Sequence, residues 1–411
     1  MAYNNRRNYN GYGRNSYGRN SYSRSKVRVS KRARNRVIII AVGIIIFALI
    51  VTLISSVISC ICTGSPKTEL TIDTATVGKA TKATKPTKPV EKPKADNLIF
   101  KEPNIKDSGS DSSGTLNNGY YIWNSKAFEA FKGSKSDAKA YADFVNKVKD
   151  KLGLGVNVYS AIVPTHIEMG LPNKYKNTEG GIKTNSQADY IKAVYKNYSK
   201  KVKYINSYNL LSDHCNDYIY FDSDKSPTGL GGYYVYKSFN EVMGKKPIEL
   251  NACKESAIKN FYGSYNNFTD AELKVDTVNY WDFSYNMSNT ITNEDDTTDT
   301  VDSCYNKDAE SGAGAYNVFL YGKKPLEIIK SESDRADGKI AIIHNSAGNS
   351  IVPYFTYNYE EVYSINYGLY EGSLKNLIAE NDIRNVLFIN DTISSADSET
   401  LDSLKELTGV K

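Results

Sequence analysis

An α/β fold is what this sequence predicts: a doubly wound parallel sheet with a β-rich insertion, carried behind one N-terminal transmembrane helix. Three observations predict it. Through most of 117–411, short apolar runs alternate with stretches whose apolar residues recur at helical spacing. Between about 245 and 337 the chain is rich in Tyr, Asn, Thr and Asp and loses the helical period. Near the start, VIIIAVGIIIFALIVTLISSVISCIC (37–62) runs for 26 positions with no charge and no proline. At about 1.5 Å per residue such a helix crosses a hydrocarbon core of about 30 Å.

Taken in order, residues 1–36 hold eleven Lys or Arg, no Asp or Glu, and the near-repeats NGYGR, NSYGR and NSYSR over 10–24. They carry too few apolar residues to bury and read as a disordered tail. Five of the basic residues, Arg28, Lys31, Arg32, Arg34 and Arg36, abut the span. The positive-inside bias keeps that tail in the cytoplasm and sends the rest of the chain outside, as a single-pass signal-anchor. Globular core helices are rarely this long and apolar on every face. A second reading stays open, because VISC (57–60) has the small-residue pattern of a lipoprotein cleavage site, with Cys60 as the lipid anchor. Residues 63–116 read as a linker: GKATKATKPTKPVEKPK (78–94) is stiffened by Pro and repelling Lys, and DSGSDSSG (107–114) is loose.

The exported domain then begins with a short strand at 119–124. A helix follows at 134–153, with Ala138, Tyr141, Phe144, Val145 and Val148 on one face. Next come a buried strand at 156–165, a helix near 187–200 and a strand at 202–211. Beyond the insertion, strands at 339–345, 361–367 and 386–391 alternate with helices reaching to about 357, over 373–381 and from 394–398. Roughly 300 residues suffice for one large core.

The chain has 52 basic and 46 acidic residues; removing the eleven of the tail leaves 41 basic, so the exported part is mildly acidic. The basic balance therefore argues for no nucleic-acid partner. Cys215, Cys253 and Cys304 lie outside the span; one disulfide among them is open, and no Cys/His spacing suggests zinc or another cofactor.

Ligands of such sheets gather at the carboxyl ends of the strands, and two segments fall there. YIYFDSDKSPTGLGGYYVY (218–236) is a strand, a polar turn and a helix start; KIAIIHNSAGNSIVPYF (339–355) delivers Ser346 into a strand-to-helix turn. A serine so placed can be exposed for attack, though NSAGNS serves equally as a helix cap. At this point the sequence resembles the bacterial DHHW proteins, relatives of the SGNH hydrolases and of the alginate O-acetyltransferases. The resemblance rests on IVPTHIEMGLP (162–172), the 218–236 block, FYGS (261–264), YNVFLYGKKPLEII (316–329), NSAGNSIVPYF, EEVYSINYGLY and VLFIN. It implies an SGNH-like fold and a Ser-His-Asp unit, in which Ser attacks an ester and His carries the proton. Here Asp224 matches the Asp, while Lys225 and Ser226 stand where the histidines belong and Pro227 replaces the Trp. On the second block Asn345 precedes Ser346 in place of an Asp.

A triad without its histidine loses on the order of 10⁴ to 10⁶ in turnover. Lys225 could replace the base only if its amine fell from the ordinary value of about 10.4, and in extended chain it points away from 224 and 226. His166, His214 and His344 are the only histidines. His214 and His344 read as structural, whereas His166, at a strand's end, could line the cleft with Asn349. The leading expectation is a catalytically degenerate, membrane-anchored member that binds a cell-envelope glycan or partner, for which its many Tyr and Asn, expected to be exposed, are suited. The alternatives are an O-acyltransferase or esterase on wall polysaccharide with Ser346 as nucleophile, drawing on a membrane acyl-transfer partner, and a scaffold of a membrane complex.

Overall fold

The apolar runs become the strands of one central sheet. The computed structural model describes residues 98–107 and 113–411. The expected tail (1–36), span (37–62) and Lys/Pro stalk lie outside them; no helix among the described residues is long and apolar enough to cross a membrane.

The domain opens with an antiparallel meander of β1 (Thr115–Asn117), β2 (Tyr120–Trp123) and β3 (Lys126–Glu129). Its loops are Asn118 with Gly119 and Asn124 with Ser125, all four at positive φ, the two-residue turn geometry whose twist matches the strands. Helix α1 (Lys135–Leu152) starts at a capping box: Ser134 Oγ accepts from Asp137 N at 3.3 Å and Asp137 Oδ2 from Ser134 N at 2.8 Å. Then come β4 (Asn157–Val163), α2 (His166–Gly170), α3 (Gln187–Asn197), β5 (Val202–Ile205), α4 (Tyr208–Asp213) and α5 (Gly229–Met243). A separate antiparallel ribbon joins β6 (Lys254–Phe261) to β7 (Asp276–Asp282). The rest is β8 (Met287–Thr292), β9 (Thr298–Val301), β10 (Leu326–Ser331), β11 (Lys339–His344), β12 (Glu361–Asn366), α6 (Leu374–Glu380), β13 (Asn385–Asp391), α7 (Thr392–Ala396) and α8 (Ser398–Thr408).

The sheet order is β5-β4-β13-β11-β12-β10-β8-β9. Strands β5 to β12 in that order are parallel, and β4, β11, β12 and β13 are buried along almost their whole length, as strands covered on both faces must be. Helices α1, α3, α7 and α8 pack together; α5 packs with α4 and with the 3₁₀ turn Val352–Tyr357.

Five expectations are corrected here. The sheet is mixed, because β10, β8 and β9 from the expected insertion continue it antiparallel beyond β12. Alternating burial along β8 is the period-2 signature of such a strand, but which edge it joins is a long-range matter. Second, the linker does not run to 116: Leu98 is in the core, Phe100 packs on Tyr208 with ring centroids 4.7 Å apart, and Lys106 N donates to Asn216 Oδ1 at 2.8 Å. Third, the tyrosines are not broadly exposed. Tyr121, Tyr141, Tyr159, Tyr195, Tyr236, Tyr305, Tyr354, Tyr359 and Tyr363 are fully buried, and most of them build the core. The helix foreseen after 345 is two short 3₁₀ turns, and the strand foreseen at 202–211 ends at Ile205, where α4 follows.

Candidate functional site

Two segments remote in sequence are bolted together at the carboxyl ends of β4, β11 and β13. Thr228 caps α5 by accepting from Gly231 N at 3.2 Å. The glycines that follow are demanded by backbone approach: a Cβ on Gly232 would lie 2.3 Å from Ser350 O, and one on Gly231 2.1 Å from Ile219 O. Ser350 Oγ donates to Pro227 O at 3.0 Å, and Tyr354 Oη to Gly229 O at 2.8 Å. The Gly-rich run is thus a packing device between the two blocks.

Buried Asp224 spends both oxygens on backbone: Oδ1 accepts from Ser226 N at 2.8 Å and Oδ2 from Ser264 N at 2.7 Å. Lys225 is exposed while Asp224 and Ser226 on either side are buried, in a bend rather than the extended segment expected. Two further carboxylates fix this turn. Asp276 accepts from Asp222 N at 2.9 Å, Ser223 N at 2.8 Å and Ser223 Oγ at 2.6 Å; burial nevertheless raises its pKa, against those hydrogen bonds. Asp222 faces Lys126 at 2.8 Å and Lys274 at 3.0 Å. Burial raises its pKa, but those ammonium groups outweigh burial and hold it below the usual range.

On the other block, Asn345 Oδ1 accepts from Ala347 N at 3.0 Å and its Nδ2 donates to Ser394 Oγ at 3.0 Å, which donates to Asp391 Oδ2 at 2.8 Å. Ser346 is half-buried, and its Oγ has no hydrogen-bond partner among the described residues. Tyr316 closes the site from above: its hydroxyl donates to Ser346 O at 3.1 Å, with the hydroxyls of Ser350 and Ser226 beside it, and burial raises its pKa. The cleft that remains is about 10 Å³, lined by Pro164, Tyr220, Lys225, Pro227, Asn345 and Asp391.

No histidine hydrogen-bonds Ser346. His344 puts Nδ1 2.7 Å from Asn345 O and Nε2 2.8 Å from Ser364 Oγ. The carbonyl makes Nδ1 the donor, so Nε2 accepts, and burial lowers the ring to about 4. His166 is buried between Phe128, at 4.5 Å, and Tyr220, stacked at 5.7 Å; burial holds it neutral down to about 3. His214 pairs with Asp217 at 2.8 Å and stacks on Tyr234 at 3.9 Å. Asn349 is buried, its amide donating to Gly322 O at 2.7 Å. The structure therefore brings Asp224, Ser226, Asn345 and Ser346 to one place, and holds His166 and Asn349 in packing roles. Sequence reasoning missed Tyr316, Asp276 and Asp391. Tyr316 begins a block that carried the family resemblance, which is the signal that could have found it.

Among the described residues no group of three or more His, Cys, Asp or Glu is placed to hold a metal ion, and Cys215, Cys253 and Cys304 are unbridged.

The family described as DHHW protein matches residues 99–365. A solved DHHW family protein from Eubacterium siraeum is 26% identical, with a TM-score of 0.65, over 72% of this chain and 98% of that one. Two structures of Bacillus cereus PatB1, one with a sulfonyl adduct, are 16% identical with a TM-score of 0.56. They cover 68% and 70% of this chain and 98% of theirs, a likeness of fold. No curated protein matches.

Proposed function

This chain belongs to the DHHW protein family, and from that premise we propose that it is a membrane-anchored, extracytoplasmic SGNH-like domain that has lost its catalytic base and binds a cell-envelope glycan. One observation carries the reading: the Ser346 hydroxyl has no imidazole to take its proton, because Ser226 stands at the base's position and all three histidines are engaged elsewhere. Attack on an ester carbonyl requires that proton to leave, and water alone cannot replace the base without a loss on the order of 10⁴ or more. Anchoring rests on the 37–62 run, with Cys60 lipidation as the other form of tether.

The competing reading is an O-acyltransferase or esterase on wall polysaccharide. It is favoured by the unpartnered Ser346 Oγ and by a fold neighbour solved with a sulfonyl adduct. A fluorophosphonate or sulfonyl fluoride applied to the full chain in mild detergent decides between them. The inert reading expects no label at Ser346; strong labelling that Ser346→Ala abolishes would overturn it.

A further inference from the structure

The cleft lined by Lys225, Asn345 and Asp391 is too small for a sugar ring, but a groove of about 390 Å³ opens between the β1–β2 turn, the segment leading from β3 into α1, and the junction of α7 and α8. That volume is of the size that holds small ligands. It is continuous in charge with the cleft: Glu129 lines the groove and has as electrostatic neighbours Lys225 and Asp391, which line the cleft.

The wall is preformed. Asn118 Nδ2 donates to Asp270 Oδ2 at 3.2 Å and Asp270 N to Asn117 Oδ1 at 3.1 Å, while Phe131 N donates to Thr184 Oγ1 at 3.0 Å. Tyr120, in the lining, lies against Tyr265 at 4.9 Å and nearly parallel to Phe268, outside the lining, with ring centroids 6.2 Å apart, and Phe268 is 55% exposed. An exposed aromatic ring stacked next to a ring that lines a polar groove is suited to the apolar face of a sugar. The groove's own charges are three carboxylates, Glu129, Asp137 and Asp397, against Lys132. Asp137 and Asp397 each commit Oδ2 to a helix cap. Their Oδ1 atoms take no hydrogen bond from a described residue.

We propose that this groove is the glycan site, and that its occupant is an amino-sugar chain bearing free amines. The inference rests on the reading that the domain binds an envelope glycan and names where and which. Amines meet the excess of carboxylate, the sugar face meets Tyr120 and Phe268, and a polyanionic chain is repelled.

The test uses the full chain in mild detergent and calorimetric titration with three hexasaccharides: glucosamine, N-acetylglucosamine and a polyuronate. The glucosamine hexamer is expected to bind tightest and the polyuronate not at all. Phe268→Ala and Glu129→Gln are each expected to weaken it about tenfold, the loss of one good contact, with the unfolding midpoint unchanged. Equal or tighter binding of either other hexamer, no binding of any, or parent-like affinity in both variants would overturn the proposal. Absent binding with Ser346 unlabelled removes the groove alone; labelled Ser346 with binding intact removes only the inert cleft.

Discussion

Replacing Glu327 by Gln should make the protein more stable at neutral pH and flatten its pH dependence. Glu327 lies on β10 facing the core, on the same side of the sheet as Asn289 of β8, and is 1% exposed. Asn289 Nδ2 donates to its Oε2 at 2.5 Å, and Asn289 Oδ1 is buried without a partner. Burial pushes the Glu327 carboxyl up to about 8, against the hydrogen bond from Asn289 and the charge of Lys324. The folded carboxyl thus keeps a proton that the unfolded chain releases near 4.5. Its contribution to stability is complete below that value and is lost as the pH rises to about 8, with a slope of about 1.4 kcal/mol per unit. The amide is neutral throughout and keeps an acceptor for Asn289. At pH 7 the variant should therefore be more stable by on the order of 3 kcal/mol, and near pH 4.5 about equal to the parent. Urea unfolding of both proteins at pH 5, 6, 7 and 8 reads this directly, and other titrating groups cancel in the difference. A difference that does not grow with pH, or a variant that is weaker at pH 8, would refute the reasoning.

Two further outcomes follow from the site. Gly232→Ala should cost several kcal/mol, because its Cβ would sit 2.3 Å from the Ser350 carbonyl, where no flexible side chain can yield; thermal unfolding checks it. Ser226→His combined with Asn345→Asp should produce acetyl-esterase turnover that the parent lacks, read with a chromogenic acetate ester. Its rate is expected to stay well below that of a complete triad, because Asp224 already gives both oxygens to Ser226 N and Ser264 N.

How much was legible differs between fold and site. Each parallel strand was visible as an apolar run, and α1 as a 3.6-period face behind Ser134, because burial on both faces and helical spacing are written locally. The site was half legible. Resemblance pointed to Asp224, Ser226, Asn345 and Ser346, and they meet; their partners did not follow from it, since Tyr316 reaches Ser346 across 30 residues and Asp276 reaches Ser223 across 53. Nor could composition tell that the tyrosines are core rather than sugar platforms, because a ring's exposure is set by what packs over it.

By itself, then, the sequence determined the α/β class, the order of the elements and the absence of a histidine beside Asp224. Only the tertiary structure decided that β8, β9 and β10 extend the sheet antiparallel, that His166 and His344 are sealed in packing, and that the cleft by Asn345 is about 10 Å³ while a separate groove is about 390 Å³. The reason is physical: periodicity fixes which face of an element is apolar, whereas strand pairing and proton partners depend on contacts between residues too far apart in the chain for any local pattern to record.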